Sequence, residues 1–144
     1  MTRTYFGGVG LFLSSCTATM NDYHQGLLYL VTLLIDADGI ADEKELEALH
    51  VIRDREMISA PAYLEFQSGV KKLKARDIYE KGISLISRCT PEEKLRAFAT
   101  LYRLSEVDGR VHVKEIKLLL YSIKSAGVEF EAVVDFAKSK LQKF

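Results

Sequence analysis

Two stretches of this 144-residue chain repeat each other seventy positions apart. The first is Asp36-Ala37-Asp38-Gly39-Ile40-Ala41-Asp42-Glu43-Lys44-Glu45-Leu46, and the second is Glu106-Val107-Asp108-Gly109-Arg110-Val111-His112-Val113-Lys114-Glu115-Ile116. Both read acid-x-Asp-Gly-x-apolar-x-x-x-Glu-apolar. A repeat inside one chain narrows the possible folds sharply, because similar segments build similar supersecondary units. It predicts two helix–DG-loop–helix halves packed about a pseudo-twofold axis.

The hydrophobic spacing around the repeat is helical. Tyr23, Leu27, Leu30, Val31, Leu34 and Ile35 recur at threes and fours, which predicts one helix from about Asp22 to Asp36. Asp42 reads as an N-cap with Glu45 reaching back to it, and Leu46, Leu49 and Ile52 as the buried stripe that follows. Pro61 opens a short helix or turn carrying Tyr63, Leu64 and Phe66. Lys71 to Arg88 reads as a long helix with Tyr79, Gly82, Ile83 and Ile86 on one side. Thr90-Pro91-Glu92-Glu93 is a strong helix start, with Thr as cap, Pro first and Glu third. That helix buries Leu95, Phe98, Ala99, Tyr102 and Leu104. Another runs from about Val113 to Ala126, ended by Gly127, and the last carries Phe130, Val133, Val134, Ala137 and Leu141. With no sustained strand alternation, the expected fold is an all-α bundle of six or seven helices.

Composition bounds the rest. Cys16 and Cys89 are the two cysteines, too few for a disulfide framework and in no zinc-binding pattern. The 2 prolines and 9 glycines leave no long linker. No apolar run reaches the roughly 18–20 residues of a membrane span. Lys+Arg and Asp+Glu both number 20, so no overall charge steers the chain toward nucleic acid. The balance conceals a split: residues 1–70 carry 4 basic and 10 acidic groups, residues 71–144 carry 16 and 10. Eight of the first ten acids lie between Asp36 and Glu56.

The acidic loops have a chemical reading. A calcium loop of the EF-hand type uses acids at positions 1, 3 and 5, glycine at 6 and glutamate at 12. Aligning Gly39 with that glycine puts Asp36, Asp38 and Glu45 at the third, fifth and twelfth places. Gly109 likewise places Glu106, Asp108 and Glu115. Apolar Leu34 and Leu104 occupy the first place, so each loop lacks one ligand. Hard oxygen donors suit calcium or magnesium rather than zinc or copper. The bland alternative makes Gly39 and Gly109 helix C-caps, and Glu45 and Glu115 capping-box residues facing their own backbone. Against it, acids at a helix C-terminus oppose the macrodipole, at about a few tenths of a kcal/mol each.

The two helix–DG–helix segments, Leu34-Ile35-Asp36-Ala37-Asp38-Gly39 through Glu45 and Leu104-Ser105-Glu106-Val107-Asp108-Gly109 through Glu115, resemble the TerB (tellurite-resistance B) family. They also resemble the module near the N-terminus of some DnaJ-like membrane co-chaperones. The resemblance covers about residues 22–138 and rests on the doubled motif. It implies an all-helical bacterial domain with clustered acids that bind divalent metal, acting in tellurite or envelope stress through protein partners, without catalysis. The residues carried over are Asp36, Asp38, Glu45, Glu106, Asp108 and Glu115. The second loop departs from the pattern at Glu106, where the first repeat has Asp, and at His112, where a small capping hydroxyl or an acid is usual.

Other chemistry finds little support. His24, His50 and His112 are the only histidines, and His50 lies one turn from Arg53 and Asp54. There is no GxSxG motif, no glycine-rich phosphate loop with its lysine, and no activated cysteine, so no enzyme is expected. Nor is a small-molecule substrate or a nucleic-acid partner. The basic run Lys71-Lys72-Leu73-Lys74-Ala75-Arg76 reads as a solvated helix face, or as a contact for phosphate, an acidic partner or a membrane surface.

Residues 1–19 are ambiguous. Arg3, Tyr5–Leu13 and Leu13-Ser14-Ser15-Cys16 resemble a lipoprotein signal with lipid on Cys16. Alternatively Met20 is the natural start, or Tyr5–Leu13 packs on the domain as an arm. The expected organisation is therefore a segment 1–19 and a single TerB-like domain over 20–144. Its expected place is the cytoplasm, at or near the inner face of the membrane, with a lipid anchor through Cys16 as the alternative.

Overall fold

The computed structural model describes residues 20–35, 43–107, 112–123 and 128–144. The segment 1–19 with Cys16, both loop glycines, and Asp36, Asp38 and Asp108 lie outside the described residues. Those that are described form seven helices and no strand: α1 Asp22–Ile35, α2 Glu43–Arg55, α3 Ala60–Val70, α4 Ala75–Ser87, α5 Pro91–Val107, α6 Val113–Ser122 and α7 Phe130–Lys140. The fold is the all-α bundle that the periodicity predicts. None of these helices is long and apolar enough to cross a membrane.

α1 is apolar around most of its circumference, so it belongs inside. Its Leu27, Leu28, Leu30 and Val31 are fully buried. Asn21 starts it, its side-chain oxygen accepting from the His24 amide at 2.7 Å. α1 packs along α4, α5 packs along α7, and α5 also touches α1, α2, α4 and α6. The α1–α4 crossing is close because each helix offers a glycine. A Cβ on Gly82 would stand 2.8 Å from Leu30 Cδ2, and one on Gly26 2.8 Å from Ile86 Cδ1. α5 begins as its capping box dictates: the Thr90 amide donates to Glu93 Oε1 at 3.0 Å and the Glu93 amide to Thr90 Oγ1 at 3.1 Å.

Phe98 is fully buried on α5 among Leu101 and Leu104, Leu27 and Leu30 of α1, Ile86 of α4, and Ile116 and Leu120 of α6. A smaller cluster joins Leu28 to Ile58, Ala62, Tyr63 and Phe66. Ser59 caps α3 by accepting from the Ala62 amide at 3.3 Å.

Three details differ from the sequence reading. The inner face of α2 is Glu45, Ala48 and Ile52, which leaves Leu46 53% exposed. α2 has so few apolar residues that its contact with α5, rather than its own stripe, sets its rotation. The stretch Lys71–Arg88 is not one helix. The Lys71 amide closes the last turn of α3 on Gln67 O at 3.2 Å, and α4 restarts after Lys74, whose amide donates to Asp77 Oδ2 at 3.4 Å. Lysines in a first helical turn oppose the macrodipole while Asp77 favours it, so the helix begins downstream of the lysines. α6 ends at Ser122, because Ile123 has extended backbone with φ −85° and ψ 106°. Gly127 lies outside the described residues.

Candidate functional site

Each repeat sits at a helix junction, the first between α1 and α2 and the second between α5 and α6. Of the six expected ligands, Glu45, Glu106 and Glu115 are described. Glu45, in the first turn of α2, is 1% exposed and has an interaction partner. Glu106 accepts from Arg103 Nη1 at 2.7 Å. That arginine is itself buried, and its Nη2 donates to the carbonyls of Ala137 at 2.9 Å and Leu141 at 3.1 Å. It thereby satisfies carbonyls at the C-terminus of α7, where a cation also suits the helix dipole. Glu115 Oε1 accepts from the His112 amide at 3.2 Å, so this carboxylate caps the helix it sits on.

The two junctions approach one another. Lys44 and Glu47 of α2 share a cleft of about 390 Å³ with Glu106 and Val107 at the end of α5. The turn leaving the first loop thus faces the turn entering the second. Among the described residues no three His, Cys, Asp or Glu side chains group so as to hold a metal ion.

A different polar cluster, unmarked by any motif, joins α1, the end of α2 and α5. Glu56 follows the last residue of α2, and its side chain is only 8% exposed. Its Oε2 accepts from Arg96 Nε at 3.0 Å and from Tyr23 Oη at 3.4 Å, and its Oε1 lies 3.5 Å from His24 Nε2. Burial alone would raise the Glu56 carboxyl. The hydrogen bond from His24, with the charge and hydrogen bond of Arg96, outweighs burial and holds it below the usual carboxylate range. Burial and then the Glu56 charge push the Tyr23 phenol far above its ordinary value. Burial would lower Arg96, but the Glu56 carboxylate raises it instead. His24 was visible in the sequence as one of three histidines. The other two partners of Glu56, Tyr23 and Arg96, lie 33 and 40 residues from it and carry no local signal.

The remaining candidates are quiet. His50 pairs with Asp54 at 3.5 Å with both side chains exposed, a pair of little energetic weight. Burial, followed by the charges of Glu93 and Asp22, pushes the Cys89 thiol up, which disfavours the reactive thiolate.

Comparison of the chain with protein-family models, curated proteins and solved structures finds no significant match. The resemblance to the TerB family therefore stands on the doubled loop alone.

Proposed function

We propose that this chain is a non-enzymatic, TerB-like helical module that takes a divalent cation, calcium or magnesium, on its paired acidic loops. Through that cation it tunes contacts with protein partners in a bacterial tellurite or envelope-stress response, in the cytoplasm or at the inner face of the membrane. A lipid on Cys16 would instead anchor it. The observation that supports cation binding best is the cleft shared by Glu47 and Glu106. It sets the first turn of α2, which carries Glu45, beside the end of α5, which carries Glu106; in the proposed site Asp36, Asp38, Asp108 and Glu115 complete the ligand set.

A second reading is favoured by two specific contacts. Glu106 is paired to Arg103, and Glu115 caps the His112 amide. Both acids then serve the helices themselves, and the domain is a metal-free adaptor. Calorimetric titration separates the two. Under the first reading, calcium or magnesium binds with measurable heat and raises the melting temperature, because a ligand of the folded state alone must stabilise it. The Asp38→Asn/Asp108→Asn double variant should then lose both effects. An unchanged melting temperature in millimolar calcium, magnesium and manganese leaves the adaptor reading.

A further inference from the structure

We propose that the cleft between α1, the α3–α4 turn and α6 is a docking groove for an acidic amphipathic helix of a partner protein. The groove measures about 610 Å³, and its walls are Leu33 and Leu34 of α1, Leu73 of the α3–α4 turn, Ile78 of α4, and Leu118 and Leu119 of α6. While Leu119 and Leu120 are buried in the core, Leu118 is 67% exposed and Tyr121, one turn on, 71% exposed. One large apolar side chain, Leu118, thus lines an apolar trough while standing largely in water, an arrangement that marks an interaction surface.

The charge around the trough selects the partner. Lys71 lines it, and Lys72, Lys74 and Arg76 belong to the same turn and the start of α4. Lys114 lies one helical turn before Leu118 on α6. The charged side chains that line the groove itself are Lys71 and Glu115, and the turn beside it adds Lys72 and Lys74 in sequence. Glu115 is engaged locally, accepting from the His112 amide. Among the described residues no ion pair is made by Lys71, Lys72 or Lys74. A helix with apolar anchors at i, i+3, i+4 and i+7 and acids on its flanks complements both features. The inference deepens the partner half of the proposed function and shares Glu115, a lining residue of the groove, with the proposed cation site.

The test uses the full chain and a fluorescein-labelled synthetic helical peptide of about eighteen residues, with a leucine stripe at that spacing and glutamates on its flanks. Fluorescence anisotropy should show saturable binding, weakened at least about tenfold when lysines replace the flanking glutamates. Leu118→Glu and Lys71→Glu/Lys72→Glu should each cost at least about tenfold, while Leu64→Glu, exposed on α3, should bind as the parent does. Leu118→Ser replaces Leu118→Glu if melting shows the latter unfolded. Equal affinity for both peptides, or undiminished binding by the Leu118 variant, overturns the proposal. Partition onto phosphatidylglycerol vesicles that Leu118→Glu abolishes, without peptide binding, overturns it in favour of a membrane surface. Self-association lost in Leu118→Glu and unaffected by the peptide overturns it in favour of a second copy.

Discussion

At the scale of single residues, Glu56 concentrates the most electrostatic consequence in the fewest atoms. A carboxylate this buried is tolerable only because Arg96, Tyr23 and His24 converge on it. Glu56→Gln keeps the shape but removes the charge that Arg96 faces, so it should destabilise the fold by about 1–3 kcal/mol at neutral pH. The folded carboxyl lies below its ordinary value of 4.5. Its stabilisation is therefore present above that value and lost as pH falls through the lower folded one. Urea denaturation across this acidic window should show the parent losing stability more steeply than Glu56→Gln. Parallel slopes would remove Glu56 from the acid response. None of this was legible in the sequence. The cluster is made of four ordinary residues that only packing brings together, whereas the acidic loops announce themselves by repetition.

At the scale of elements, local signals served where capping chemistry decides. Thr90-Pro91-Glu92-Glu93 starts α5 as read, because both hydrogen bonds of its capping box lie within four residues. The end of α2 carries no such mark. It closes as a Schellman motif, with the Ile58 amide on Arg53 O at 3.0 Å and the Met57 amide on Asp54 O at 3.2 Å. Met57 takes the left-handed position, φ 57°, where glycine is usual, and its side chain is 85% exposed. Met57→Gly should accordingly raise stability by about 1 kcal/mol, by relieving the left-handed strain without giving up packing. Thermal melts of the two proteins check this, and a lower melting temperature would count against it. The break between α3 and α4 was equally hidden: the helical spacing of Tyr79, Ile83 and Ile86 runs smoothly back toward Lys71, and only capping competition at Lys74 and Asp77 sets the start.

At the scale of the whole molecule, α5 is the hub, since it packs against α1, α2, α4, α6 and α7. Phe98 lies at its buried centre, so Phe98→Ala should cost about 3–5 kcal/mol. Against a total stability of about 5–15 kcal/mol for a domain of this kind, that loss should bring the chain close to unfolding at 37 °C. Circular dichroism melts would show it, and a drop of only a degree or two would displace Phe98 from the centre. The equal totals of acids and bases also look different in three dimensions. The excess base of the α3–α4 turn lies beside an apolar groove that Lys71 lines, while in sequence many of the acids fall at the α1–α2 and α5–α6 junctions.

Periodicity and capping were enough to establish an all-α chain, most of its helix starts and the two acidic junctions, because those depend on residues within a turn or two of each other. They were not enough for the rotation of α2, the buried Glu56 cluster, the pairing of Arg103 with Glu106 and the carbonyls of α7, or the groove beside the basic turn. Each of these joins segments tens of residues apart. Packing around α5 decides them, because a buried charge or an exposed leucine takes its meaning from what the rest of the chain places beside it.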